Sequence, residues 1–322
     1  PGSAFKPILY LTALQNGFTP LTMMKSEPTV FTYDRDKQYI PRNFGNRYAH
    51  RMISMREAIK TSDNIYAVKT IDFLTPQKVA EQAKQLGINS PITAVPSLAL
   101  GTSPVSPLEL NTAYGAIVNK GERVEPIAIS KIEDSQGNVL FEEKTVKSQA
   151  ADPVASALMV NLMQSVFERG GTGYRVVNEL NRPVAGKTGS TDVDAWLSGF
   201  TPQLVTTVWV GYDKNQLVDD VKEGYLSKKI WAQFMERALQ DQPPALFNMP
   251  PGVVSVYIDP ASGKLATEHC PNPELFSFAN GTEPKEYCTD HLPSDETSPS
   301  PLPTPDSSSF WQRMGSWWKS GN

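Results

Sequence analysis

Three short strings in this 322-residue chain carry side chains suited to acyl-transfer chemistry: Ser3-Ala4-Phe5-Lys6, Ser62-Asp63-Asn64 and Lys187-Thr188-Gly189. A serine hydroxyl is a weak nucleophile until a base takes its proton, and a lysine serves when burial or neighbouring cations lower its pKa. If Ser3 opens a helix, Lys6 shares its face, because residues three apart are helix neighbours. The S-x-x-K spacing alone carries little weight. Roughly one chance match is expected at this length, and Ser316-Trp317-Trp318-Lys319 is a second copy, set after a tail with no scaffold around it. SDN and KTG each occur once, in the order nucleophile, SDN, KTG, and only the set of three is informative.

Lys187 has a competing reading, because Gly186-Lys187-Thr188 resembles the end of a nucleotide phosphate loop, G-x-x-x-x-G-K-[ST]. Glycines must let backbone N–H groups wrap the phosphates, and the first should stand at position 181, which is Asn181. Pro183 lies inside the stretch, and the following DAWLSGF has strand character where a helix should open. The phosphate-loop reading therefore fails. Gly170-Gly171-Thr172-Gly173 reads as a helix stop and flexible connector.

Elements able to position the three strings are announced by their ends. Pro1-Gly2 before Ser3 and Gly17 after PILYLTALQNG frame a first helix, and Pro7 is tolerable in its first turn, where N–H groups have no intrahelical partner. Thr75-Pro76 to Gly87, Ser106-Pro107 to Gly121 and Asp152-Pro153 to Gly170 frame three more. NRPVAGKTG, DAWLSGF and QLVTTVWVGY read as successive strands, the last two joined as a hairpin at Thr201-Pro202. A closing helix covers about 226–239. Helices, then strands, then a helix is an α+β pattern. GVVSVYIDPASGKLAT reads as a hairpin turned by Pro260 to Gly263 and opens a small β module. The expected boundaries are 1–243, 244–291 and a tail 292–322.

The composition, 39% hydrophobic with net charge -4, is that of an ordinary globular protein and lacks the basic footprint of nucleic-acid binding. No apolar run is long enough to span a membrane, and no signal pattern opens the chain. Nothing implies a cofactor. LPSDETSPSPLPTPDSSS is disordered by composition. In the terminal FWQRMGSWWKSGN, Phe310, Trp311, Met314, Trp317 and Trp318 would share a helical face, suited to a membrane interface or a partner; the alternative is a sticky disordered end. Cys270 and Cys288 are expected to form a disulfide, worth about 3 kcal/mol by the chain-entropy relation, which would mean an oxidising compartment. A zinc site with His269 and His291 is disfavoured, because adjacent His269 and Cys270 would struggle to reach one tetrahedral ion; free thiols are the third possibility.

The three motifs, with PGSAFKP, SPLELNTAYGAIVNKG, AGKTGSTDVDAWLSGFTPQLV and GTEPKEYC around them, resemble the transpeptidase domain of class A, bifunctional penicillin-binding proteins over about residues 1–290. The resemblance implies a serine D,D-peptidase fold that cross-links peptidoglycan. It makes Ser3 the nucleophile, Lys6 its base, Ser62 the proton relay to departing D-alanine, and Lys187 the group that polarises that relay. Asn64 would bind the substrate backbone, Thr188 and Ser190 its carboxylate, with Gly189 between them, and the Ser3 and Ser190 N–H groups would form an oxyanion hole. Stem peptides and β-lactams are the implied partners, and the outer face of the bacterial cytoplasmic membrane the implied location. In the family two sheet strands, a glycosyltransferase domain and a membrane helix precede the serine. The chain therefore reads as a fragment expected to acylate poorly, with about three strands over 183–212 and an unpaired, aggregation-prone edge at QLVTTVWVGY. A serine β-lactamase would need a water-activating glutamate in an E-x-E-L-N type string. PLELN puts Pro107 at that position, and Glu109 is explained by a capping box with Ser106. A β-lactam sensor is the remaining alternative.

Overall fold

The computed structural model describes residues 1–33, 35–214, 216–219, 224–292 and 300–302. The first helix, α1 (Lys6–Leu14), has all nine residues buried, so its apolar sequence, uniform around the helix, marks a central core element rather than a surface one. It packs against α3 (Asn64–Leu74), α4 (Pro76–Gln85) and α6 (Pro153–Gln164). Between α1 and α3 runs α2 (Met55–Thr61), capped by Ser54, whose hydroxyl accepts from the Glu57 N–H. Further on, α5 (Pro107–Val118) opens with the expected Ser106–Glu109 capping box. The helix expected from Asp152 ends at Gln164, and a 3-10 turn, Ser165–Phe167, follows it.

The expected strands form an antiparallel sheet, β1 (Ala185–Ser190), β2 (Asp194–Phe200) and β3 (Val205–Gly211), in spatial order β3-β2-β1. Register pairs Ser198 with Lys187, Leu197 with Thr188 and Trp196 with Trp209. From Ala195 to Phe200 the central strand is buried without alternation, because protein covers both faces. On one face α7 (Leu226–Ala238) inserts fully buried Trp231, whose ring stacks on Phe167 and whose Nε1–H donates to Thr206 O at 3.0 Å. Complete burial of a large apolar side chain contributes about 1.5–3 kcal/mol.

The C-terminal module has β4 (Val253–Asp259) at the centre of a second antiparallel sheet, flanked by β5 (Lys264–Leu265) and β6 (Glu274–Ala279). Its own core is small: Ile258, Phe276 and Phe278. Arg56 of α2 reaches it, donating to Glu274 at 3.1 Å and to Glu168 at 2.6 Å while lying over the Phe276 ring. The hairpin turn ends at Gly263, φ +71°, as its sequence demands. One expectation fails here. Cys270 and Cys288 are free thiols in the structure, where Cys288 Sγ instead faces Asp259 Oδ2 at 3.5 Å and His291 Nδ1 at 3.4 Å. The aromatic segment 310–322 lies outside the described residues. Among the described residues no helix is long and apolar enough to cross a membrane.

Candidate active site

Ser3 sits in a 3-10 turn, Gly2–Phe5, that runs directly into α1. The turn is pinned from three sides. Tyr114 of α5 donates to Ala4 O at 2.7 Å, the Gly2 N–H donates to Gly101 O at 3.2 Å, and β1 passes flush against it. A Cβ at Gly189 would lie 2.1 Å from Pro1 O, and one at Gly101, itself at φ +70°, would lie 2.1 Å from Gly2 O. Both glycines are therefore required by close approach of backbone to backbone. Ser3 itself is half-buried, and its hydroxyl has no hydrogen-bond partner among the described residues.

Ser62 and Asn64 reach the same place because α2 stops and α3 starts between them. Ser62 is the left-handed C-cap of α2, φ +63°, a conformation that costs a non-glycine residue about 1–2 kcal/mol. Asp63 caps α3 by accepting from the Tyr66 N–H, and its other oxygen takes hydrogen bonds from Ser26 Oγ (2.5 Å) and Asn43 Nδ2 (2.6 Å). Asn43 also accepts from the Asn64 N–H at 2.7 Å. This buried network fixes the corner. Ser26 and Asn43 had no sequence signal, since each is an isolated polar residue far from any motif.

The Lys6 amine is fully buried and lies among Ser62 O (2.8 Å), Ser62 Oγ (3.3 Å), Asp63 O (3.2 Å) and Asn64 Oδ1 (2.6 Å). Burial lowers its pKa to about 7, against the opposing pull of Asp63. Lys187, also fully buried, donates to Ser62 Oγ at 2.9 Å and to Thr188 O at 2.9 Å. Its pKa is pushed well down by burial, then by Lys6 and Lys228. Two amines thus share one hydroxyl. A serine hydroxyl has two acceptor sites and one donor, so when both lysines donate to it the Ser62 O–H is left to donate to an incoming group. Asn64 gives one amide hydrogen to Arg42 O at 2.7 Å and retains the other.

Thr188 Oγ1 donates to Thr172 Oγ1 at 2.7 Å, and Ser190 is exposed at the strand end with its backbone against Gly2. Thr172 belongs to the GGTG string that reads as a mere connector. In the structure the string folds tightly back, since a Cβ at Gly171 would lie 2.2 Å from Val166 O, and it delivers a hydroxyl to the KTG strand. The structure therefore brings Lys6, Ser62, Asn64, Lys187 and Thr188 into one hydrogen-bonded group, with Ser3, Gly189 and Ser190 on the abutting backbone. Glu109 is used otherwise. Although partial burial opposes it, hydrogen bonds from Ser90 and Ser106 hold its carboxyl near pKa 2, which makes it a poor base. Two cavities of about 420 and 370 Å³ open elsewhere, one beside α5 and β3, the other beside the end of α1.

Residues 1–236 match the family described as penicillin binding protein transpeptidase domain, and the chain belongs to it. Residues 249–293 match the family described as penicillin-binding protein 1A, C-terminal domain. Among curated relatives, Penicillin-binding protein 2D of Bacillus subtilis is 42% identical over 304 residues, covering 92% of this chain and 44% of the relative. Penicillin-binding protein 1A of Aquifex aeolicus is 35% identical over 294 residues, covering 90% of this chain and 40% of the relative. The chain thus spans less than half the length of these relatives. The crystal structure of Penicillin-Binding Protein 1A from Haemophilus influenzae superposes with a TM-score of 0.80 at 27% identity, over 89% of this chain and 48% of that one.

Proposed function

We propose that this domain is a serine D,D-transpeptidase acting on D-Ala-D-Ala stem peptides of peptidoglycan and acylated by β-lactams. The observation that carries the reading is the single hydroxyl, Ser62 Oγ, shared by two buried lysine amines beside the Ser3 turn. Neutral Lys6 takes the Ser3 proton as Oγ attacks the penultimate D-alanine carbonyl, and Ser3 and Ser190 N–H groups carry the developing oxyanion charge. When the C–N bond breaks, the Ser62 O–H protonates the departing nitrogen and is resupplied through the lysines. The acyl group then passes from Ser3 to an amine of a neighbouring stem. Asn64 holds the substrate backbone, while Thr188, Thr172 and Ser190 hold its terminal carboxylate.

A general base for deacylation is what separates a β-lactamase from a transpeptidase, and support for slow deacylation is that Pro107 and the hydrogen-bonded, low-pKa Glu109 supply none. The family relation supports placing the active site at the outer face of the cytoplasmic membrane. Release of D-alanine from a stem pentapeptide, assayed with and without an amine acceptor, tests the function. The expected outcome is release that depends on Ser3 and a cross-linked product in the presence of the amine. Acylation by β-lactam with no D-alanine release would identify a sensor, and rapid multiple turnover of a chromogenic cephalosporin would identify a β-lactamase.

A further inference from the structure

The C-terminal module assembles four side chains able to hold a metal: Asp259 at the end of β4, Cys270 in the loop after β5, and Cys288 and His291 after β6. Their ligand atoms all lie within 4.8 Å of one another, and Asp259, Cys270 and Cys288 are buried. Bonds of about 2.3 Å to sulfur and about 2.0–2.1 Å to nitrogen or oxygen imply tetrahedral edges of about 3.3–3.8 Å. Cys288 Sγ to His291 Nδ1 is 3.4 Å, Cys288 Sγ to Asp259 Oδ2 is 3.5 Å, and His291 Nδ1 to Asp259 Oδ2 is 4.0 Å. These three edges are close to those of a coordination tetrahedron.

Outer partners are also in place. The Thr267 N–H points at Cys270 Sγ from 3.3 Å, the N–H to sulfur contact that supports a thiolate. Ser262 donates its N–H and its hydroxyl to the Asp259 carboxylate at 3.0 and 2.7 Å, orienting it. The objection to zinc drawn from sequence falls away, because His269 faces Glu268 instead and Asp259 supplies the fourth ligand. A module of this size, with three apolar side chains in its own core, is of the kind that needs a staple. We infer that Asp259, Cys270, Cys288 and His291 form a structural zinc site that cross-braces the ends of β4, β5 and β6. Both cysteines bind as thiolates, so each Zn²⁺ taken up expels the two thiol protons. Metal-free, the Cys288 thiol is raised by burial, and its hydrogen faces the Asp259 carboxylate.

The test is metal analysis of the whole 322-residue chain, purified under reducing conditions, incubated with Zn²⁺ and desalted. One zinc per chain is expected, with both thiols protected from alkylation until a chelator is added. Co²⁺ in its place should give the intense visible bands of a tetrahedral ion and a thiolate charge-transfer band. Asp259→Asn, Cys288→Ser and His291→Ala should each lose stoichiometric binding, Ser262→Ala should weaken it about 10–100-fold, and His269→Ala should bind as the parent does. Thiol protection in the unmutated chain keeps the test valid should a variant misfold. Less than about 0.2 zinc per chain, a Co²⁺ spectrum without thiolate bands, or a Cys270–Cys288 disulfide forming in air despite equimolar Zn²⁺ would each overturn the inference.

Discussion

The Ser3–Lys6–Ser62–Lys187 corner and the Cys270–Cys288 cluster are both buried groups of titratable side chains, yet they are assembled in opposite ways. In the corner, helix starts and one strand present short motifs whose members are neighbours in sequence, and each buried amine is matched by acceptors. In the cluster, the end of β4 and the segments that follow β5 and β6 meet, and what their residues share is the geometry of a common centre. A buried charge is tolerated only when it is paired or neutralised. The corner meets this by lowering its lysine pKa values, whereas the cluster meets it through protonated thiols or a bound cation. The first arrangement leaves a hydroxyl proton free to move; the second, once metallated, leaves nothing to move.

Three measurements sharpen that contrast. The largest effect is expected from Ser62→Gly, which removes the shared hydroxyl and so loses about 10²–10⁴-fold in acylation rate, the usual contribution of a general acid–base group. The same change relieves the left-handed strain at φ +63°, and the lysines keep their other acceptors, so the melting temperature should be at least that of the parent. A large loss of stability would show that Ser62 holds the corner together and does not serve chemistry. Next is pH. With Lys6 as the proposed base and its pKa held near 7, the acylation rate should fall about tenfold per unit below pH 7 and level off above it. A flat profile from pH 5 to 8 would remove Lys6 as the base. Because the folded pKa is depressed, the unfolded chain binds the extra proton between about pH 7 and the ordinary lysine value, and stability should rise with pH across that window. Smallest is Ser106→Ala, which breaks a capping box and should cost about 1 kcal/mol by thermal melting with the acylation rate unchanged.

Legibility in the sequence follows the same divide. Pro marks the starts of α4, α5 and α6, and β-branched and aromatic runs mark β2 and β3, because these elements obey local rules of capping and pleating. The α2–α3 boundary carries no such local mark, since its left-handed position holds Ser62 where a glycine would have signalled it. Short ribbons such as Met23–Lys25 with Met52–Ser54 are too brief to show alternation. Thr172, Ser26 and Asn43 act through contacts 16 to 37 residues distant in sequence, which no local pattern records. The two cysteines stand out in the sequence, whereas Asp259 joins them only through the folding of β4 against β6.

Peptide mapping by mass spectrometry after exposure to a β-lactam tests the central assignment most directly. Whatever fraction of the chain reacts, the adduct should lie on Ser3, persist over hours, and be absent from Ser3→Ala, whose fold should be unchanged because the hydroxyl supports no other group. An adduct on any other residue, or one that persists in Ser3→Ala, would contradict the account.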